Sequence, residues 1–368
     1  MQGSYRADQV GSLLRPPALR QARAAYAQGR LDREALRQVE DQAILAALDR
    51  QRQVGLEVFT DGEYRREFFL SPLLDSVEGI EPGETSLAWR GPAAPEQPVH
   101  GRVVARRLRQ VRRLAAHEAR FLQQHAPGTP KTTLPSPVMF LLPSLTCYRP
   151  GISDRYYPTQ AALLQELVGI IGGEVRALVA DGARYVQLDA PTYPHFVDER
   201  LRERALLAGV DPDRAVDEAI AADNACLAGV DRGAVTLAIH LCRGNSRSRW
   251  LAEGGYEPVA ERVFGSLEVD RFLLEYDTER AGGFEPLRFV PKGKTVVLGL
   301  VTTKSGALED QDTLLRRVEA ASRYLPLDQL ALSPQCGFAT NEQGNLLTED
   351  EQWRKLELVV DTARKIWG

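Results

Sequence analysis

The sequence predicts an α/β protein of the (β/α)8 TIM-barrel class, and three observations lead there. Short β-branched runs bounded by turn residues alternate with longer runs of helical period, eight such strand candidates occur along the chain, and nearly every one stops on a side chain able to do chemistry. In a barrel of parallel strands the C-terminal strand ends form the active face.

The strand candidates are 5–12 (YRADQVGS), 54–61 (VGLEVFTD), 131–138 (KTTLPSPV), 184–191 (RYVQLDAP), 234–242 (AVTLAIHLC), 269–277 (VDRFLLEYD), 295–303 (TVVLGLVTT) and 329–336 (QLALSPQC). Helical period fills 32–52, 159–180, 212–229, 310–323 and 349–366. The first of these opens on Asp32, a good cap, and carries Leu36, Val39, Ala43, Ala46 and Ala47 as an apolar stripe. No linker interrupts the alternation, so one catalytic domain over 1–368 is expected, with an N-terminal extension around Pro16 and Pro17 and a long insertion or lid in 64–101. The basic run 102–114 (RVVARRLRQVRRL) reads as the solvated face of a helix.

Composition excludes several classes. With 368 residues, 43% hydrophobic and 26% charged, the chain can bury a large core, and a net charge of -4 offers no general field for nucleic acid or an anionic membrane. The N-terminus lacks the basic, apolar and small-residue succession of a signal peptide, and the uncharged run 132–148 is broken by Pro135, Pro137 and Pro143. Four widely spaced cysteines do not form a disulfide framework, which points to a reducing cytoplasm; Cys147 and Cys226 are expected to be spare, partly buried thiols. A homo-oligomer is compatible with the sequence.

The strand ends offer Ser12, Asp61 with Glu63, Ser136, Asp189, His240 with Cys242, Glu275 with Asp277, Lys304 and Cys336. Residues two apart on a strand face the same way, so His240 and Cys242 converge. If the ring closes, Glu275 and Cys336 join them, a borderline-soft set suited to tetrahedral Zn2+. Against this stands the reading of Cys336 as a small buried hydrophobe and of Glu275 as half of an ion pair.

ADQVGSLLRP near the start, DGEYRREFF at 61–69, VQLDAP at 186–191, IHLCRGN at 239–245, LLEYD at 273–277 and LSPQCGF at 332–338 together resemble the cobalamin-independent methionine synthase family, specifically its catalytic C-terminal barrel without the N-terminal one. The resemblance implies zinc held by His240, Cys242, Glu275 and Cys336, with homocysteine alkylated there at sulfur; the departures from the family pattern leave the methyl donor as a folate without a polyglutamate tail, a methyl-corrinoid protein or another methylated molecule. It also implies that Glu63 and Asp189 take the ammonium of the amino acid and the Gly11-Ser12 turn its carboxylate. The chemistry is consistent, because a free thiol titrates near ~8.5 whereas a zinc-bound one is deprotonated. Two thiolates and a carboxylate make the ion a poor activator of water, which argues against a hydrolase.

Three departures concern the carbon donor. Where the family places a histidine proton donor in G-x-x-D-x-H-S, this chain reads GLVTTKS and puts Lys304, which would protonate a leaving group or bind an anionic part of the donor. DEPA is replaced by DAPT, with Ala190, and the tryptophan-bearing stretch after the third strand is absent, leaving Tyr148, Tyr156 and Tyr157 as an alternative stacking wall. Two rival readings follow: thiol addition to an epoxide or similar electrophile, and a zinc-holding barrel without catalysis. The acidic pair disfavours a sulfonate thiol such as coenzyme M, and a purely structural zinc needs no amino-acid pocket.

Overall fold

The computed structural model describes residues 5–85, 89–91, 99–140 and 147–368. Helices α1 (Pro17–Ala27) and α2 (Arg33–Val54) precede strand β1 (Val58–Phe59), and α3 (Ser71–Leu74) leads into the hairpin of β2 (Val77–Thr85) and β3 (Val99–Gln110). The chain continues through α4 (Ala116–His125), β4 (Thr129–Pro135), α5 (Gln160–Ala180), β5 (Tyr185–Asp189), α6 (Glu199–Leu207), α7 (Pro212–Leu227) and β6 (Thr236–Leu241). It ends with α8 (Glu257–Ser266), β7 (Arg271–Glu275), β8 (Thr295–Val301), α9 (Gln311–Ser322), β9 (Leu330–Pro334) and α10 (Glu349–Trp367).

The five expected helices lie within two residues of their expected ends, because side-chain caps fix their starts. Asp32 accepts from Ala35 N at 2.8 Å and Asp310 from Thr313 N at 2.8 Å. Thr348 forms a full capping box with Glu351.

Seven parallel strands run in the order β1-β4-β5-β6-β7-β8-β9. The expected first strand, 5–12, is a correction: only Ala7 bridges to Leu332 of β9, through Asp8 N to Leu332 O (2.9 Å) and Leu332 N to Arg6 O (2.8 Å). On its other flank, side chains replace the ladder. Gln9 Nε2 donates to Val58 O at 3.0 Å, Thr60 Oγ1 donates to Gly11 O at 2.7 Å, and Gln51 Oε1 of α2 accepts from Thr60 N at 2.9 Å. The second expected strand contracts to β1 for the same reason. The ring nevertheless closes, with the N-terminal segment in the eighth position, as a TIM barrel.

Strand alternation sorts the side chains into two shells. Val58, Tyr185, Ala238, Leu273, Val297 and Ala331 fill the barrel interior with Val10 from the N-terminal segment. Leu134, Leu188, Ile239, Leu274, Leu298 and Leu332 point outward into the layer shared with the helices.

At the N-terminal end of the interior, Asp8 is fully buried between two cations. Its Oδ1 accepts from Lys131 Nζ at 3.0 Å, and its Oδ2 accepts from Tyr185 OH at 2.8 Å and faces Arg271 Nη2 at 3.4 Å. Burial pushes this carboxyl up, but Lys131 and Arg271 outweigh it and hold it below the usual range.

The basic run 102–114 is a second correction. Most of it belongs to β3, which pairs antiparallel with β2, and the apolar residues Val104 and Leu108 at a spacing of four mimic helical period. The strand is held by its backbone ladder to β2 and by burial of Val103, Val104 and Leu108, while its exposed arginines meet acids of β2: Arg106 Nη2 lies 2.9 Å from Glu81 Oε1 and Arg109 Nη2 2.5 Å from Glu78 Oε2. The solvated character of the arginines is as expected. Residues 86–88 and 92–98 of the expected insertion, and 141–146 of the uncharged run, lie outside the described residues. Among the described residues no helix is long and apolar enough to cross a membrane.

A candidate metal and thiol site at the barrel mouth

The period of two along the strands builds the site. On β5 the inward residues are Tyr185, Gln187 and Asp189; on β6 they are Thr236, Ala238 and His240; on β7 they are Arg271, Leu273 and Glu275. Asp189, His240 and Glu275 are therefore the top residues of three adjacent strands. Cys242 follows the end of β6, and Cys336 stands two residues beyond β9.

Ligand atoms of His240, Cys242 and Cys336 all lie within 4.8 Å of one another, and the two sulfurs are 3.8 Å apart. All three residues are buried. His240 Nδ1 lies 3.2 Å from Leu273 O, which fixes it as the protonated nitrogen, while Nε2 is buried with no hydrogen-bond partner. An imidazole lone pair without a partner beside two thiols is the donor set of a soft-to-borderline divalent ion. The hydrogen bond from Cys242 is the largest influence holding Cys336 well below the usual thiol range, and the same bond with burial raises Cys242 well above it.

The fourth expected ligand is not in this group. Glu275 is fully buried at the end of β7, but its Oε2 accepts from Arg243 N at 2.7 Å and its Oε1 from Arg280 Nη2 at 2.8 Å. Burial pushes Glu275 up, and Lys304, Arg243 and Arg280 together hold it below the usual range. Arg280 is itself fixed by Asp277 at 3.2 Å and by the Trp250 ring at 4.5 Å. Lys304 is half-buried beyond β8 and donates to Gly244 O at 3.1 Å and Asn245 Oδ1 at 3.3 Å, so it ties down the loop after Cys242. It does not line the mouth cavity, where a proton donor to substrate would stand.

The mouth cavity holds about 630 Å³ and is lined by Ser12, Glu63, Asp189, His240, Cys242 and Cys336 together with aromatic residues. Glu63 sits in the left-handed region at φ 58°, next to Gly62 at φ 67°, an uncommon conformation for a residue with a side chain. The turn aims its carboxylate inward. Oε1 accepts from Thr133 Oγ1 at 3.0 Å and meets Arg66 Nη1 at 3.3 Å, while Oε2 is buried without a partner. Asp189 accepts from Gln187 Nε2 at 2.7 Å, and burial followed by the neighbouring charge of Glu63 pushes it up to about 7. Glu63 and Asp189 thus bring two buried carboxyl groups to one cavity.

Gly11 stands at φ 152°, where a Cβ would meet Thr133 Cγ2 at 3.1 Å, and Ser12 Oγ lies 3.4 Å from Ala339 N. A Cβ on Gly337 would fall 2.0 Å from Ser12 Oγ and 3.3 Å from Ser12 N. Gly337→Ala should therefore displace the Gly11-Ser12 turn, destabilise the fold by about 1–3 kcal/mol and weaken amino-acid binding, as thermal melts and ligand titration would show. Unchanged values for both would disprove the close packing.

Of the expected stacking wall, Tyr148 lines the cavity, while Tyr157 is buried elsewhere with its hydroxyl on Leu108 N and Tyr156 faces solvent. Phe68, Phe140 and Trp89 line the cavity in their place, none of them marked by the strand-end pattern because they sit on connecting segments. His195 was also missed; it is buried, lines the cavity, and burial pushes its imidazole down to about 4, so it is neutral. Cys147 and Cys226 are fully rather than partly buried. The loop after β6 runs as far as Tyr256, since Glu257 opens α8.

Residues 6–365 match the family model described as the catalytic domain of cobalamin-independent synthase. The chain is 39% identical to the Bacillus subtilis uncharacterized protein YxjG, over 99% of this chain and 95% of that protein. It is 23% identical to a methionine synthase of Pyrococcus abyssi, over 96% of this chain and 90% of that one. Among solved structures it resembles a putative vitamin-B12 independent methionine synthase from Listeria monocytogenes, with a TM-score of 0.75, 29% identity, and coverage of 99% of this chain and 98% of the other. From the strand-end ligands to these relatives of nearly equal length, the chain belongs to the cobalamin-independent methionine synthase family, matching its catalytic domain.

Proposed function

We propose that the protein is a zinc-dependent methyltransferase that transfers a methyl group to the sulfur of homocysteine. The observation that carries this reading is the pairing, in one cavity, of a three-donor soft site with two opposed carboxylates. A thiol reaching the donors from an amino acid would place its ammonium between Glu63 Oε2 and Asp189.

His240, Cys242 and Cys336 would hold the ion, whose contribution when bound is to keep an incoming thiol deprotonated at neutral pH. The chain's own groups do the rest. Leu273 O holds the imidazole tautomer that leaves Nε2 available. Arg66, anchored on Glu118 at 2.6 Å, pairs with Glu63 at 3.3 Å without covering its second oxygen. The Gly11-Ser12 turn takes the amino-acid carboxylate. Glu275, the buried acid at the end of β7, would serve as a ligand on release from Arg280 and the Arg243 amide. Lys304 positions the Gly244-Asn245 loop above the donors. Phe68, Phe140 and Trp89 line an apolar wall for the carbon donor, which is a methylfolate or a methyl-corrinoid protein.

Asp189→Asn removes one charge from the ammonium receptor and should raise the homocysteine KM about 10- to 100-fold while leaving bound zinc unchanged. Steady-state kinetics with homocysteine against coenzyme M, joined to metal analysis, tests the reading. Turnover with the sulfonate thiol alone would refute it.

A further inference from the structure

The segment after β5 carries one more polar group into the mouth. Beyond the groups already given to the ion and the amino acid, the buried polar side chains lining this cavity, among the described residues, are Ser71, His195, Asn245 and Arg249. Three of them are engaged: Ser71 Oγ accepts from Phe68 N at 3.2 Å, Asn245 Nδ2 donates to Gly337 O at 2.8 Å, and Arg249 Nε donates to Ser246 O at 3.3 Å. His195 is not. Its imidazole makes no hydrogen bond or ion pair with any described residue, although the residue is only 4% exposed. A buried polar ring left without a partner is unfavourable unless a ligand completes it.

The ring is nevertheless held in place. His195 belongs to a single 3-10 turn, Tyr193–Phe196, which follows Pro191 and contains Pro194, two residues of fixed φ. Tyr193 OH donates to Asp223 Oδ2 at 2.8 Å, and Ser136 Oγ, just beyond β4, donates to Asp223 Oδ1 at 2.6 Å. Ser136 N in turn donates to Asp189 O at 3.0 Å, and Arg202 Nη1 closes the far end of the turn on Phe196 O at 2.9 Å. Asp223, fully buried on α7, therefore ties the turn to the ends of β4 and β5 and leaves the imidazole as its one unengaged polar side chain in the cavity.

A methyl group that departs from nitrogen leaves its electron pair behind: the C–N bond breaks, the C–S bond forms, and the nitrogen takes up a proton equivalent to the one the thiol lost on becoming a thiolate. A donor aimed at that nitrogen bonds it more strongly as the pair develops, which lowers the barrier. A methyl group departing from a corrinoid cobalt leaves the pair on the metal and gains nothing from such a donor. Lys304 does not line the mouth. His195 does, and because burial keeps it neutral it offers one N–H and one lone pair. We propose that His195 donates a hydrogen bond to the nitrogen that surrenders the methyl group, and so selects an N-methylated co-substrate over a metal-bound methyl. The assignment rests on the methyl-transfer reading.

The test supplies the zinc-loaded protein with homocysteine and either 5-methyltetrahydrofolate or methylcobalamin, in the native chain, His195→Phe and His195→Gln. Phenylalanine keeps a ring without nitrogens, and glutamine restores an N–H. With the folate, kcat should fall about 100-fold in His195→Phe and recover in part in His195→Gln, while the loss with methylcobalamin should be smaller by about tenfold or more. The thermal midpoint should hold or rise, because the imidazole has no partner to lose. Native turnover with methylcobalamin alone, an unchanged kcat with the folate, equal losses with both donors, or a lowered midpoint in both variants would overturn the assignment. If the native protein turns over neither donor, calorimetric titration decides: folate binding weakened about tenfold in His195→Phe upholds the contact and places the failure with the methyl-transfer reading, whereas absent or unweakened binding overturns the contact itself.

Discussion

Cys336→Ala should strip the barrel mouth of its metal and abolish methyl transfer, with a loss of affinity for the ion of about 100-fold or more. The substitution removes one of three converging donors and leaves Cys242 and His240, a pair that cannot close a tetrahedral set. Cys336 is buried, and alanine is smaller, so the void adds only a modest destabilisation. Metal content per chain after dialysis, together with thermal melts in the presence and absence of zinc, separates the two effects. Full metal content with lost activity would assign Cys336 a role other than ligation. Retained activity would dismiss the proposed centre altogether.

Asp8→Ala should destabilise the fold by about 3–5 kcal/mol, since it strands Lys131 and Arg271 as uncompensated buried cations. Their side chains are 0% and 5% exposed, so water cannot take over the lost partner. Tyr185 would lose its hydrogen-bond acceptor at the same time. Adding Lys131→Met to Asp8→Ala should recover part of the loss, because one stranded charge is then gone. Denaturant unfolding of the single and double variants checks this; a cost within 1 kcal/mol of zero for Asp8→Ala would show the cluster to be hydrated.

Much of this architecture is legible in the residues themselves. Asp32, Thr159, Asp310 and Thr348 announce helix starts by local chemistry that tertiary packing does not override, and alternation along β5, β6 and β7 places Asp189, His240 and Glu275 at one rim. What escapes such reading depends on partners far along the chain. The strand character of 99–110 is decided by its ladder to β2 and the burial of Val103, Val104 and Leu108, and the contraction of 5–12 by carboxamides from Gln9 and Gln51 that stand in for a ladder. The orientation of Glu275 is likewise set by Arg280, on a loop with no periodic signal. Glycine-dependent turns fall between these cases: DGE marks a bend, but only the structure shows that Glu63 itself takes the left-handed conformation.

The bridge from Ala7 to Leu332 also bears on how the molecule is made. A growing polypeptide cannot complete its ring until the last strand has left the ribosome, so Gly11 and Ser12 must wait for almost the entire chain before their half of the pocket exists. Joining ends so distant carries a large loop-closure entropy and slows the final step. Intermediates with an open sheet edge are the species most prone to pair with one another, and shortening the N-terminus by about ten residues would trap the protein among them.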